Sequence, residues 1–277
     1  MDFTKMHGLG NDFIVVEAES FDRASVFQPV ARTWCDRHFG IGADGILVTG
    51  PGEAQDIFMR IFNGDGSEAE MCGNGIRCVA LYARQRGLAV RDEFAVQTLA
   101  GPRWVEIVSS SPPQVRVDMG QPILNPADIP VQGVAANNHL SVTWEDQYFN
   151  ITAVSMGNPH AVILVDDANQ VPLEIWGPRL EKDPHFPANT NVEFVQILSE
   201  REIKVRVWER GAGITLACGT GACASLVACH LLGKIGRQAQ VHLPGGDLWI
   251  EWNQDNNHVY MTGTATEVFR GVIGDPK

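Results

Sequence analysis

The chain has 277 residues, 44% of them hydrophobic, and a formal net charge of -12 at pH 7. This length predicts two domains of roughly 130 to 140 residues, each able to bury its own core. The acidic balance argues against nucleic acid and anionic membranes as partners, because both bind basic surfaces.

The six cysteines indicate reduced thiols in a cytoplasmic protein. No CxxC pair occurs, and the spacings fit neither a secreted disulfide framework nor a structural zinc site. No targeting sequence precedes Met1–Lys5, which enters a strand-like pattern at once, and no apolar run is long enough to span a bilayer. We therefore expect a cytoplasmic location and no membrane partner, metal or other cofactor.

In chain order, the first elements are two strand-like pieces joined by a turn at His7–Phe13. The second piece, residues 13–16, is predicted to be buried, which places Asn11 at a strand edge. A helix is predicted over residues 26–39. The glycine-rich segment 40–45 that follows does not have the glycine spacing of a nucleotide-binding loop.

A strand predicted over residues 57–62 leads through a glycine-rich turn to Met71-Cys72-Gly73-Asn74-Gly75 and then to an apolar helical run, 76–86. The motif therefore lies at a helix N-terminus, where unpaired N–H groups face outward. The helix dipole and these donors are expected to lower the pKa of the thiol. The same donors make a site for a substrate carboxylate.

The second half of the chain repeats this organisation. At an offset of 146, Cys72 falls on Cys218, in Ala217-Cys218-Gly219-Thr220-Gly221 before a helical run over 222–234. At an offset of 147, Asn11 falls on Asn158, which precedes a strand-like run. A period this long indicates a duplicated domain. We assign residues 1–119 plus 264–277 to the first half and 120–263 to the second.

Short strands are predicted after each helix, and the segment 269–277 is expected to return to the first half. The predicted fold class is α+β, with two similar domains, each a mostly antiparallel sheet or barrel wrapped around a central helix. The active site is expected in the cleft between the halves. The predicted strands cover residues 94–99, 103–108, 114–119, 241–243, 248–252 and 258–262.

Two equivalent thiols suit the inversion of a carbon stereocentre, in which one base removes a proton and an acid on the other face delivers one. A thiolate and a thiol can do this without a metal or cofactor. The alternative for a cysteine is a buried small hydrophobe. We apply that interpretation to Cys35, Cys78, Cys223 and Cys229, but not to Cys72 and Cys218, which match each other in the duplication.

Seven motifs together closely resemble the diaminopimelate epimerase family over nearly the whole chain. The resemblance implies a cofactor-independent, usually dimeric enzyme that interconverts LL- and meso-2,6-diaminopimelate in lysine and peptidoglycan synthesis. The motifs are HGLGNDF from His7, Phe62-Asn63, MCGNG from Met71, MGNPH from Met156, TNVE from Thr190, Glu209-Arg210-Gly211 and ACGTG from Ala217.

The resemblance also implies roles for individual residues. Cys72 and Cys218 would be the acid/base pair, and His160 and Glu209 would tune the two thiols. One departure is Gly45, where some members carry a substrate-contacting Gln. The residues expected to bind substrate are Asn11, Asn63, Gly73, Asn74, Asn158, Asn191, Glu209, Arg210, Gly219 and Thr220.

Two other functions remain open from the sequence. A proline or hydroxyproline racemase-like enzyme shares the paired cysteines, but usually has His where Asn74 stands. A thiol redox sensor without turnover would use the cysteines to form a disulfide. For Glu209 and Arg210, a surface ion pair is an equally acceptable interpretation.

Overall fold

The computed structural model describes residues 1–134, 138–144 and 147–274. The chain divides into two compact units: unit 1 is Met1–Asp118 with the chain from Thr262 onward, and unit 2 is Met119–Met261. In the part of the chain so described, no helix has the length and apolarity needed to cross a membrane.

The elements up to residue 118 are β1 (Asp2–Gly8), β2 (Asn11–Glu17), α1 (Ala31–Cys35), β3 (Gly45–Pro51), β4 (Ile57–Asn63), β5 (Glu68–Ala69), α2 (Gly73–Arg86), β6 (Glu93–Gln97), β7 (Arg103–Ser110) and β8 (Pro113–Asp118). They are followed by β9 (His139–Trp144), β10 (Gln147–Ser155), β11 (Pro159–Leu164), α3 (Leu173–Glu181), β12 (Asn191–Ser199), β13 (Glu202–Glu209), β14 (Gly213–Ile214), α4 (Gly219–Leu231), β15 (Gln238–Leu243), β16 (Gly246–Trp252), β17 (Val259–Thr264) and β18 (Thr266–Val272).

In unit 1 the strands surround α2. Strand β1 pairs antiparallel with β2 and with β18, so Thr266–Val272 returns to the sheet of unit 1. The pairs β2–β3 and β4–β6 are parallel, whereas β3–β4, β6–β7 and β7–β8 are antiparallel. Helix α2 contacts β1, β3 and β8, among other strands, and its residues from Gly73 to Ala83 are buried.

Unit 2 repeats this pairing pattern, and each of its strands from β10 to β16 corresponds to the strand numbered nine lower in unit 1. The pairs β11–β12 and β13–β15 are parallel, whereas β9–β10, β10–β11, β12–β13 and β15–β16 are antiparallel. Helix α4 contacts β10 to β13, β15 and β16. Ala222–Cys229 is wholly buried, because a helix that is apolar on all sides is stable only when enclosed. The predicted fold class and duplication are confirmed.

One predicted helix is wrong. Over residues 26–39 the structure has a 3-10 helix, Asp22–Phe27, and then only the short α1. The helix ends at Cys35 because Asp36 takes an extended conformation, with ψ of 126°, and its carboxylate accepts hydrogen bonds from the backbone N–H groups of His38 and Phe39. This side-chain turn competes with helical hydrogen bonding.

Each unit has its own apolar core. In unit 1, α1 and the 3-10 helix pack on β3 and β4 through Phe27, Trp34 and Phe58. In unit 2, strands β9 and β10, which were not predicted, contribute Leu140, Val142 and Phe149 to a cluster with Phe194. The separate cores hold the two helix N-termini on rigid scaffolds.

Candidate active site

Cys72 caps the N-terminus of α2. Its backbone is extended, with φ of -142° and ψ of 120°, and its sulfur accepts a hydrogen bond from the Gly75 N–H at 3.4 Å. A Cβ on Gly75 would lie 3.0 Å from a methyl group of Leu47 and 3.4 Å from the Cβ of Cys72, so a side chain fits here only if the leucine shifts slightly. The prediction that this thiol opens a helix is confirmed.

The amide of Asn11 presents its oxygen to the Cys72 thiol. Asn11 Nδ2 donates to Asp44 Oδ2 at 2.7 Å, and because a carboxylate only accepts, the Asn11 oxygen must point the other way. That Oδ1 lies 3.6 Å from Cys72 Sγ and 3.3 Å from Asn74 Nδ2. In this arrangement Cys72 is a thiol that donates its proton to Asn11.

Arg77 fixes the first turn of α2 from inside the core. Its side chain is fully buried and donates to Gly73 O at 3.0 Å, to Asn74 Oδ1 at 2.8 Å and to Thr264 O at 3.2 Å. These bonds orient the Asn74 amide, whose nitrogen then faces Asn11. Arg77 was not identified from the sequence, although an arginine in an apolar helical run is a signal of a buried, hydrogen-bonded charge.

Asn63 and Gly45 lie opposite each other in the β3–β4 register. Asn63 ends β4, and its Nδ2 donates to Ser67 Oγ at 2.9 Å. A Cβ on Gly45 would lie 2.8 Å from the carbonyl oxygen of Phe62. The strand geometry therefore leaves little room for a side chain at position 45.

Cys218 caps α4 as Cys72 caps α2. Its φ is -111° and its ψ is 113°, and the sulfur accepts the Gly221 N–H at 3.3 Å. The Thr220 hydroxyl lies 3.5 Å from the sulfur. The two caps differ in exposure, since Cys218 is 5% exposed and Cys72 is only partly buried.

The expectation of a lowered thiol pKa is wrong for Cys218. Burial raises the pKa of this thiol well above its ordinary value, and the nearby carboxylates of Glu209 and Glu193 raise it further. The hydrogen bonds from Thr220 and from the Gly221 N–H act in the opposite direction but are outweighed. Desolvation and two like charges thus prevail over the helix end.

Glu209 is suited to exchange a proton with Cys218. Burial raises the pKa of the Glu209 carboxyl, whereas hydrogen bonds from the Thr215 hydroxyl and the Cys218 thiol lower it. Glu209 ends β13, two strand residues after Val207, so a short connection links it to the cap of α4. Thr215, on that connection, was not identified from the sequence.

His160 is fully buried between two polar groups of unit 2. Its Nδ1 lies 2.7 Å from Glu193 Oε1, and its Nε2 lies 3.1 Å from Asn158 Oδ1. Asn158 Nδ2 donates to Thr220 Oγ1 at 3.4 Å. Within this unit His160 therefore reaches Cys218 through Asn158 and Thr220. Glu193 belongs to the TNVE motif, but no role was predicted for it from the sequence.

Asn191 and Arg210 lie at the ends of neighbouring strands. Asn191 Nδ2 donates to Pro159 O at 2.9 Å, and its Oδ1 accepts the Arg210 N–H at 3.0 Å. The guanidinium of Arg210 donates to Ala188 O at 3.0 Å and is exposed. Asn191 thus fixes the backbone at Arg210, while the Arg210 charge remains accessible to a ligand.

The remaining cysteines are buried, as expected for small hydrophobic residues. Burial raises the pKa of Cys35 to about 11 and the pKa of Cys78 and Cys229 to about 12. The pKa of Cys218 is raised as well, so a raised pKa does not separate these residues from it. The helix-capping positions therefore distinguish Cys72 and Cys218 from the others.

Comparison with known proteins identifies the family. The family described as diaminopimelate epimerase matches residues 3–125 and 152–268. The chain belongs to the diaminopimelate epimerase family. It is 51% identical to the diaminopimelate epimerase of Heliobacterium modesticaldum, with 99% of each chain covered, and 52% identical to that of Pelotomaculum thermopropionicum, with 98% of each covered.

A solved structure confirms the fold beyond the diaminopimelate epimerase family. A hydroxyproline epimerase from Agrobacterium vitis superposes with a TM-score of 0.69, covering 98% of this chain and 91% of that one, at 13% sequence identity. At this identity the similarity concerns the fold alone.

Proposed function

We propose that this protein is a diaminopimelate epimerase that interconverts LL- and meso-2,6-diaminopimelate without a cofactor. The observation that carries the proposal is the pair of cysteines that cap α2 and α4, each with its sulfur on a glycine N–H. The family membership supplies the substrate.

In the proposed reaction, Cys72 and Cys218 are the two acid/base residues. A thiolate takes the proton from the reacting carbon and becomes a thiol, and the other thiol gives its proton to the opposite face and becomes a thiolate. Each turnover therefore exchanges the protonation states of the two sulfurs, and the reverse reaction restores them.

The surrounding residues have distinct proposed tasks. Asn11 accepts the Cys72 proton in a hydrogen bond, and Glu209 does the same for Cys218. The backbone N–H groups at Gly73, Asn74, Gly219 and Thr220, in the first turns of α2 and α4, would hold the substrate carboxylate, since helix N-termini stabilise anions. The polar groups proposed to contact the rest of the substrate are Asn63, Asn158, Asn191 and Arg210.

The direct test is incubation of reduced protein with LL-diaminopimelate in deuterated water. Loss of the Cα proton by NMR, together with meso product on chiral chromatography, is the expected result. Exchange with proline or hydroxyproline but not with diaminopimelate would transfer the assignment to the other substrates, and no exchange with any of them would reject the proposed function.

We also propose a cytoplasmic homodimer acting in lysine and peptidoglycan precursor synthesis. Sedimentation equilibrium on the purified protein tests the dimer, with a single species of about twice the 30.3 kDa chain mass expected. A monomer that retains full activity would reject this part of the proposal.

A further inference from the structure

Glu193 lies at the buried end of the hydrogen-bond chain that reaches Cys218. The chain runs from Glu193 through His160, Asn158 and Thr220 to the sulfur. We propose that Glu193 is a positioning residue that acts through this chain to direct the Thr220 hydroxyl onto the Cys218 sulfur. The proposal rests on the assignment of Cys218 as an acid/base residue.

The direction of the chain follows from which groups can donate. The Asn158 oxygen only accepts, so His160 Nε2 must carry a proton. With Nε2 protonated, the pair is either an imidazolium whose Nδ1–H donates to the Glu193 carboxylate or a neutral ring whose Nδ1 accepts from the protonated Glu193 carboxyl. A neutral ring that donated Nδ1–H to the carboxylate would leave Nε2 without the proton that the Asn158 oxygen requires. In both allowed forms Nε2–H points at Asn158.

The remaining bonds then have one direction. With its oxygen on His160, Asn158 turns its Nδ2 toward Thr220, whose oxygen accepts. The Thr220 hydroxyl hydrogen is left to donate to Cys218, which also receives the Gly221 N–H. Two donors on one sulfur stabilise a thiolate, which is the state that Cys218 must reach in one direction of the reaction.

The burial of Glu193 supports this role. The side chain is fully buried on β12, and among the residues that the structure describes its Oε2 has no hydrogen-bond partner. A buried carboxyl oxygen without a partner is destabilising, and such groups in native proteins often have a functional reason. The other oxygen, Oε1, is held by His160.

A direct effect of the Glu193 charge on the Cys218 pKa would be opposite in direction to an effect through the hydrogen-bond chain. Glu209 on β13 and Glu193 on β12 are the carboxylates that act on Cys218 from the strands packed against α4, with His160 on β11 next to Glu193. If Glu193 acted only by its charge, its removal would make the Cys218 thiolate easier to form. If it acts through the chain, its removal makes the thiolate harder to form.

The test is a titration of thiolate absorbance at 240 nm, taken as the difference between each protein and its own Cys218→Ser counterpart. Thr220→Val removes the final donor, and the onset of absorbance should move about one pH unit upward, a tenfold change in the dissociation constant. Thr220→Ser should restore the wild-type onset.

Glu193→Gln should move the onset upward by a factor of about two to ten in the dissociation constant. A Gln side chain can present either its oxygen or its NH₂ group to Nδ1, so the ring is no longer held with Nε2–H toward Asn158. In the Thr220→Val background, Glu193→Gln should no longer move the onset upward, because the chain no longer ends on the sulfur; only the loss of the Glu193 charge remains, which moves the onset downward.

The matched control is Asp183→Asn. Asp183 and His185 form another carboxylate–histidine pair of unit 2, at 2.6 Å, outside the chain, and this variant should leave the onset unchanged. A downward shift in Glu193→Gln, or an upward shift that persists in the Thr220→Val background, would overturn the proposal. The titration needs no substrate, so a failure of the proposed epimerase activity would be seen separately.

Discussion

Gly221→Ala tests whether the first turn of α4 has room for a side chain. A Cβ on Gly221 would lie 2.7 Å from Glu193 Oε1 and 3.2 Å from Cys218 Sγ, both closer than ordinary van der Waals contact. Gly75 is the equivalent position in α2, where the nearest atom to a new Cβ is a methyl group of Leu47 at 3.0 Å. A leucine methyl can move by a few tenths of an ångström, whereas the Glu193 carboxyl is held by His160.

The expected magnitude follows from two opposing effects. Alanine is favoured over glycine in a helix by about 1 kcal/mol, and this gain applies equally to Gly75→Ala and Gly221→Ala. Overpacking a rigid site costs about 1 to 3 kcal/mol. We expect Gly221→Ala to lower the free energy of unfolding by up to about 2 kcal/mol, and Gly75→Ala to leave it unchanged or slightly higher.

Urea unfolding followed by tryptophan fluorescence measures the difference, since Trp144, Trp176, Trp208, Trp249 and Trp252 all lie in unit 2. The displaced Cys218 sulfur should also lower kcat/KM for epimerisation by about tenfold or more, because reacting groups tolerate little misplacement. Equal stability and activity in the two alanine variants would refute the steric argument.

Three further predictions concern other parts of the protein. Cys72→Ser and Cys218→Ser should each lower epimerisation by about a hundredfold or more, because a general acid or base contributes factors of this size; either variant with near-wild-type turnover in the deuterium assay would contradict the two-base assignment. Arg77→Met should lower the free energy of unfolding by about 3 kcal/mol in urea titrations, because it removes the buried hydrogen bonds that the guanidinium donates to Gly73 O, Asn74 Oδ1 and Thr264 O. The exposed Arg84→Met should change it by about 0.5 kcal/mol or less. Burial alone would raise the pKa of Asp12, but hydrogen bonds from Arg37 and Lys5 outweigh it and lower the pKa from 3.8 to about 2. The stability that results, about 1 to 2 kcal/mol, is present above pH 4 and is lost as the pH falls toward 2. Asp12→Asn should therefore be less stable than wild type at pH 6 and equally stable near pH 2.

Local chemistry explains what could be predicted from the sequence. A Cys-Gly-x-Gly motif before an apolar run contains the signals for a capped helix within a few residues, so both caps were predicted correctly. The duplication was visible because the same motifs recur in the same order. The turn at Leu9 and Gly10 was also correct, since glycine supplies the positive φ that the hairpin needs.

Effects that depend on tertiary burial could not be read from the sequence. The pKa of Cys218 is raised, whereas a lowered pKa was predicted, because β12 and β13 bring Glu193 and Glu209 close to the thiol and exclude water. No local pattern distinguishes Glu193 from any other acidic strand residue. The helix over 26–39 failed for a local reason, the side-chain turn at Asp36, which an aspartate before a glycine-rich segment could have indicated.

The pairing of β1 with β18 has a consequence for folding during synthesis. Asp2 pairs with Val272, so the edge of β1 that pairs with β18 has no partner until β18 has left the ribosome. Unit 2, Met119–Met261, is complete in sequence before that point and can close its sheet around α4 first. Until β18 arrives, β1 presents an open strand edge of the kind that recruits other chains. We expect nascent chains stalled before residue 266 to depend on chaperones more than full-length chains do.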